Sequence, residues 1–157
     1  MADAQELPSI TRLIDARRAE KTRFIVIGMT AAILQGTPAT TLDIDLWIDL
    51  PPRQYIRLLN LARRLGAEIV ANTVVVLPDH VTINFVYGEV IGLNSFKTEY
   101  KKIRLLRWMR RSVPVLPLER VYRSKQMVGR PKDLAHLPAI EQTLALKRKA
   151  RRPKRPH

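Results

Sequence analysis

The chain has 157 residues, of which 46% are hydrophobic and 27% are charged, and this composition is typical of one globular domain rather than of a disordered protein. It contains no cysteine, which excludes disulfide frameworks, thiol nucleophiles, iron–sulfur clusters and Cys-ligated zinc. No apolar run approaches the roughly 20 residues that span a bilayer, and the N-terminus shows no signal-peptide pattern. We therefore expect a cytoplasmic protein without a membrane segment.

The formal net charge of +14 arises from 28 Lys and Arg residues against 14 Asp and Glu residues. Residues 147–157 hold seven of the basic residues and no acid, and residues 101–111 hold six more. Such charge density favours polyanionic partners, above all RNA, and disfavours polycationic substrates. The C-terminal run is equally consistent with a solvated tail. We therefore predict one domain over residues 1–146 and a basic, disordered tail over residues 147–157.

In chain order, the spacing of apolar residues and the positions of Gly and Pro predict alternating helices and strands. The predicted helices cover residues 7–22, 30–35, 53–65, 95–103, 118–128 and 139–146, and the predicted strands cover residues 24–27, 42–49, 67–71, 74–77, 81–87 and 113–116. Pro138 predicts a kink or a new helix start in the last helical segment. This order predicts an α/β (α+β) fold with helices packed on one face of the sheet and a C-terminal helical segment.

Two carboxylates stand out on the strand at residues 42–49. Asp43 and Asp45 are two residues apart, so both side chains leave the same face of the strand, about 7 Å apart at their α-carbons. Two anions this close are costly unless a cation, a proton or a basic side chain compensates them, and Mg²⁺ prefers carboxylate oxygens and substrate phosphates. The pair indicates a magnesium site or, alternatively, an acidic strand face that is paired with some of the 28 basic residues.

The surroundings of this pair resemble a known family. The apolar strand at residues 24–27 is followed by Gly28, a short helix and, fifteen residues beyond Gly28, by Asp43 and Asp45 on the next strand. This order resembles the signature of the nucleotidyltransferase superfamily, and within it the minimal nucleotidyltransferases and the AbiEii-type toxins. A second segment, from Leu116 to Pro138, is similar to the C-terminal helical part of those proteins. The resemblance spans roughly residues 24–140 and implies a mixed sheet.

The resemblance implies magnesium-dependent transfer of a nucleoside monophosphate from a nucleoside triphosphate to an acceptor hydroxyl. Asp43 and Asp45 would hold the magnesium ions, and residue 84 would complete the catalytic set. The implied nucleotide-binding residues are Gly28, Met29, Thr30 and Lys125. Lys125 is also explained as a surface lysine on an amphipathic helix. Because the charge favours RNA, we expect an RNA acceptor that is bound through the tail and residues 101–111, with a small protein partner if the protein belongs to a toxin–antitoxin pair.

Two positions depart from the family pattern. Met29 stands where active members usually carry Ser or Gly, so the phosphate-facing hydroxyl is missing. Asn84 lies on the strand expected to carry the third carboxylate, but an amide has no negative charge and cannot accept the proton of the acceptor. The nearby acids Asp79 and Glu89 sit at strand ends. These departures support a second hypothesis, a catalytically impaired relative that serves as a basic nucleic-acid-binding or partner-binding module.

Further residues have both a functional and a structural explanation. Trp47 shares a strand face with the aspartates and either stacks on a base or covers the sheet. Tyr100 and Trp108 lie among basic residues and either stack on single-stranded nucleic acid or pack on the core. Arg130 and Asp133 are expected to pair across one helical turn. The histidines of the chain show no metal-ligand spacing.

Overall fold

A computed structural model describes residues 9–41 and 43–151 of the chain. The helices are α1 (Ser9–Ala19), α2 (Gly28–Leu34), α3 (Tyr55–Arg64), α4 (Phe96–Tyr100), α5 (Leu118–Val128) and α6 (Pro131–Arg151), and a 3-10 turn at Pro52–Gln54 precedes α3. The strands are β1 (Phe24–Ile27), β2 (Asp43–Ile48), β3 (Glu68–Ala71), β4 (Val74–Val76), β5 (Thr82–Tyr87), β6 (Arg104–Trp108) and β7 (Arg111–Val115). None of these helices has the length and apolar character needed to cross a membrane.

The strands form one mixed sheet in the order β3-β4-β5-β2-β1-β7-β6. Strand β2 is antiparallel to β1 and parallel to β5, and β1 is parallel to β7. This arrangement confirms the α/β prediction with a mixed sheet. All four residues of β1 are buried. Because neighbouring strand residues point to opposite faces, both faces of the sheet are covered at β1.

The basic segment at residues 101–111 contains a strand that the sequence analysis did not predict. Strand β6 pairs with β7 in an antiparallel hairpin. The turn residues Met109 and Arg110 both have positive φ angles, 49° and 65°. Tight hairpin turns of this conformation usually contain Asn or Gly, because other residues adopt positive φ at a cost. Since the turn contains neither residue type, its sequence carries no hairpin signal.

The last helix is longer than predicted. Helix α6 continues through Pro138 and ends at Arg151, so the first five residues of the predicted tail, 147–151, are helical. Lys, Arg and Ala are strong helix formers, and cations near the C-terminus of a helix interact favourably with its dipole. Residues 152–157 of the predicted tail lie outside the described residues.

Gln35, directly after α2, joins this helix to the start of α5. Its side-chain amide donates to the carbonyl oxygens of Ala31 (3.0 Å) and Leu116 (2.7 Å), and its side-chain oxygen accepts from the backbone N–H of Leu118 (3.0 Å). Helix α5 covers the predicted range and ends at Gly129, whose φ of 66° is the left-handed cap expected there. These bonds fix α5 relative to α2, next to the carboxyl end of β1.

Candidate functional site

The two aspartates of β2 lie beside Asn84 of β5. In the parallel pairing of these strands, Asp45 is in register with Asn84. The side-chain amide of Asn84 donates a hydrogen bond of 2.9 Å to Oδ1 of Asp45. Asp43 lies two residues before Asp45 and therefore on the same face of β2. Asn84 thus occupies the strand position next to Asp45, and it orients one carboxylate instead of adding a third.

Gly28 allows the carboxylate of Asp45 to lie close to the backbone. Its φ is 68°, a conformation that favours glycine, and a Cβ at this position would overlap Oδ2 of Asp45. The next residue, Met29, is buried. Thr30 is also buried, and its hydroxyl donates to the backbone carbonyl of Asp43 (3.3 Å). The Thr30 hydroxyl therefore holds the start of β2 in place.

A cavity of about 410 Å³ opens over these residues. Its wall includes Gly28, Met29, Asp43, Asp45, Asn84 and Lys125. The structure therefore brings six of the seven predicted site residues to one cavity, and the seventh, Thr30, contacts the backbone of Asp43. Of the two acids considered for the third position, Glu89 lines the cavity. Asp79 instead accepts a hydrogen bond of 3.0 Å from the backbone N–H of Ser9 at the start of α1.

Lys125 is not a surface lysine, because only 9% of the residue is exposed. Its Nζ lies 3.4 Å from Oδ1 of Asp133 and 3.1 Å from Nδ1 of His136. Arg130 also binds Asp133, with 2.7 Å between Nε and Oδ2, which confirms the predicted pairing across one turn. The carboxylate of Asp45 acts electrostatically on both Lys125 and Arg130. Two cations therefore face the aspartates of β2 across the cavity.

Burial and charge set the protonation of this cluster. Burial lowers the pKa of Lys125, although Asp133 and Asp45 oppose the effect. Burial also disfavours the charged form of Asp133, but the hydrogen bond from Arg130 and the charge of Lys125 outweigh it, so the pKa of Asp133 is lowered. Burial, and then the charge of Lys125, lower the pKa of His136. His136 is therefore neutral at pH 7, and its Nδ1 accepts a hydrogen bond from Lys125.

The sequence analysis did not assign Asp133 and His136 to the site, yet both line the cavity. The signal that could have placed them is the single turn at Gly129 between α5 and α6. A turn this short makes two helices antiparallel neighbours, so polar residues in the first turns of α6 lie beside the last turns of α5. Lys125 is in that last part of α5.

Neither protein-family models nor curated proteins show a detectable sequence match to this chain. Solved structures do show a match in fold. The antibiotic-resistance factor ANT(2″)-Ia is similar over 94% of both chains, with a TM-score of 0.58 and 12% identity. The lincosamide antibiotic adenylyltransferase LnuA, solved with lincomycin bound, covers 86% of this chain and 96% of its own, with a TM-score of 0.57 and 10% identity. A Thermotoga maritima protein assigned to the nucleotidyltransferases covers 88% of this chain and 93% of its own, with a TM-score of 0.57 and 16% identity.

This chain has the nucleotidyltransferase fold. Within that fold, Trp47 has a structural place: the residue is fully buried and its indole N–H donates to the carbonyl of Gly88 (2.8 Å). Its ring meets the ring of Phe96 edge to face, with 5.3 Å between the centroids. Trp47 therefore covers the sheet and is not available to stack on a base.

The donor atoms on β2 fit a divalent cation. Mg²⁺ is usually bound by one or two carboxylates together with substrate phosphates, and Asp43 and Asp45 offer two carboxylates on one strand face. In residues 9–41 and 43–151, no group of three or more His, Asp or Glu side chains forms a metal cluster on its own. A magnesium ion in this nucleotidyltransferase fold would therefore need further oxygen ligands, from water or from a bound substrate.

Proposed function

We propose that this protein binds a nucleoside triphosphate with magnesium in the 410 Å³ cavity and transfers the nucleoside monophosphate to an acceptor hydroxyl. The bond between the α- and β-phosphates breaks, and pyrophosphate leaves. The observation that carries the proposal is the arrangement of Asp43 and Asp45 beside Gly28, opposite Lys125 and Arg130, in a nucleotidyltransferase fold. Carboxylates suit the metal ions, and cations suit the phosphates. The cavity volume is also in the range of small-molecule sites, roughly 300–1,000 Å³.

In this mechanism each side chain has a defined task. Asp43 and Asp45 would hold magnesium, which when bound would neutralise charge on the triphosphate and orient an in-line displacement. Lys125 binds phosphate oxygens from the opposite wall, and Gly28 lets the carboxylate of Asp45 lie against the backbone in the cavity wall. Glu89 is the proposed acceptor of the proton from the attacking hydroxyl, because it lines the cavity and has no ion pair in the described part of the chain.

The acceptor that we propose is RNA. ANT(2″)-Ia was solved in complex with adenylyl-2″-tobramycin, and LnuA was solved with lincomycin bound. Proteins with a similar fold therefore bind small antibiotic compounds. The net charge of +14 on this chain repels polycationic acceptors of the aminoglycoside type and attracts polyanions. Following the resemblance to AbiEii-type proteins, the proposal includes a toxin-like, cytoplasmic role with a small protein partner.

Binding and transfer are tested separately. Isothermal titration of the full chain with ATP is expected to show binding that requires magnesium and that Asp43→Ala or Asp45→Ala abolishes. Asp49→Ala is the matched control, because Asp49 lies directly after the same strand but pairs with Arg23 (2.7 Å). Transfer is measured by incubating labelled nucleoside triphosphates with total cellular RNA. Equal binding by wild type, Asp43→Ala and Asp45→Ala would refute the proposed site.

A second candidate function follows from the bond between Asn84 and Asp45. Because an amide is in register with Asp45, the cavity has one negative charge fewer than it would have with an aspartate at position 84. It also has no base at that position. The protein would then bind nucleotide or nucleic acid without transfer. Under this alternative, wild type labels no RNA, and Asn84→Asp gains transfer, because a well-placed base contributes typically 10² to 10⁴-fold. Transfer by wild type that is lost in Glu89→Gln would support the first function instead.

A further inference from the structure

A second cavity, of about 270 Å³, lies at the other end of β1. Phe24, the first residue of β1, lines it, whereas Gly28, directly after β1, lines the cavity with the aspartates. At about 3.3 Å per strand residue, these two α-carbons are about 13 Å apart. No described acidic side chain lines the second cavity. Four cationic side chains do line it, namely those of Arg17, Arg18, Lys21 and Arg23.

Arg17 is the unusual member of this group. Only 8% of the residue is exposed, and its Nε has no hydrogen-bond partner among the residues that the structure describes. Its guanidinium lies 3.8 Å from the ring centre of Phe24, and it has no ion pair within residues 9–41 and 43–151. Burial, and then the charge of Arg18, lower the pKa of Arg17 to about 10. A buried cation without a counter-charge is costly, so an anion that reached Arg17 would relieve this cost.

The neighbouring cations differ in their partners. Arg23 pairs with Asp49 (2.7 Å), and Arg18 donates to the backbone carbonyl of Ser112. No ion pair of Lys21 occurs in the described part of the chain. Lys21 has a φ of 58°, just after α1, where glycine is the residue that fits best. Arg17 and Lys21 are therefore the two cations of this cavity for which the described residues provide neither an ion pair nor a hydrogen bond.

We propose that this cavity binds a phosphate group through the guanidinium of Arg17 and the ammonium of Lys21, without magnesium and separately from the aspartate site. A phosphate carries up to two negative charges and several acceptor oxygens, which match the N–H groups of arginine and the point charge of lysine. The source of the phosphate is either the backbone of a nucleic acid or a small free phosphate. This inference does not rest on the proposed transferase function.

The test is an NMR titration of the full chain with inorganic phosphate, at constant ionic strength, in buffer freed of metals by a chelating resin. The probe is the Nε–H resonance of Arg17, because this group has no partner in the structure. We expect a saturable shift of this resonance, and Asp43→Ala is expected to retain it. Loss of the shift in Asp43→Ala would show that the two sites are not independent and would overturn that part of the proposal. If the protein fails to bind ATP with magnesium, the proposed transferase function is refuted, but the phosphate titration is unaffected.

Two variants test the residues directly. Lys21→Gly removes a charge at a position whose φ suits glycine, so it is expected to fold and to weaken phosphate binding about tenfold, the effect of one charge-assisted contact. Arg17→Met, which keeps an unbranched side chain over Phe24, is expected to abolish the saturable shift, followed in wild type and in this variant at the backbone N–H of Thr22, which also lines the cavity. Arg63→Ala is the matched control, because Arg63 is an exposed cation on α3. No saturable shift in wild type, or equal weakening in Arg63→Ala and Lys21→Gly, would overturn the proposal.

A competition experiment identifies the source of the phosphate. A ten-nucleotide single-stranded RNA is added to the protein saturated with inorganic phosphate, and the Arg17 resonance is followed again. Displacement of phosphate by the RNA assigns the cavity to a backbone phosphate of nucleic acid. Retention of phosphate assigns it to a small free phosphate compound. Both results support a phosphate site, since both require the saturable shift.

Discussion

Replacing Gly28 with alanine gives the sharpest test of how the aspartate site is built. The substitution has two costs. A left-handed φ of 68° is unfavourable for alanine by about 1–2 kcal/mol, and the new Cβ overlaps Oδ2 of Asp45. Relieving that overlap requires Asp45 to turn away, which breaks its bond with Asn84 and adds about 1–2 kcal/mol. We expect Gly28→Ala to lose about 2–4 kcal/mol of unfolding free energy and to lose magnesium-dependent ATP binding.

Gly129→Ala is the matched control for this substitution. Gly129 has nearly the same φ, 66°, but the nearest atom to an added Cβ is a backbone oxygen at 3.6 Å, which is ordinary contact. This variant is expected to lose about 1–2 kcal/mol and to keep its nucleotide affinity. Urea unfolding measures the stabilities, and isothermal titration measures the binding. Equal destabilisation of both variants, with magnesium-dependent binding intact in Gly28→Ala, would refute the close approach of Asp45 to the backbone.

Three further changes test other contacts. The lowered pKa of His136 means that the contribution of this residue to stability is complete above the unfolded pKa of about 6.5 and is lost as the pH falls. His136→Gln is therefore expected to flatten the rise of urea stability between pH 5 and 7, roughly the range in which histidine titrates. Trp47→Phe removes the indole hydrogen bond and is expected to lower the unfolding free energy by about 1–3 kcal/mol with unchanged ATP affinity, whereas a loss of affinity would restore a base-stacking role. Asp79→Ala removes the acceptor for the first N–H of α1 and is expected to cost about 1 kcal/mol by thermal unfolding, with transfer activity retained if Asp79 lies outside the site.

The sequence predicts that Asp43 and Asp45 share one face of a strand, because residues two apart on a strand point to the same side. It also predicts the end of α5, because Gly129 provides a specific stop signal. It does not predict β6, since the turn at Met109 and Arg110 adopts positive φ angles without Gly or Asn. In this hairpin, pairing with β7 outweighs the local preference of the turn residues.

The environments of Lys125 and Arg17 depend on tertiary contacts that a sequence does not contain. Helical spacing places Lys125 on α5, but its burial results from α6 packing beside it, which no local pattern encodes. Arg17 continues the apolar spacing of α1 after Ile10, Leu13 and Ile14. A cation at an apolar position of a helix therefore predicts a buried charge. The structure places Arg17 in the buried position that this spacing indicates.

The hydrogen bonds of Gln35 have a consequence for how a ligand would be received. These bonds join α2 to the start of α5. Helix α2, which begins at Gly28, is thereby connected to the helix that carries Lys125. Opposite walls of the cavity are then held at a fixed separation before any ligand arrives. The conformational entropy of arranging these walls is lost during folding rather than during binding, so a ligand that fits the preformed cavity gains affinity.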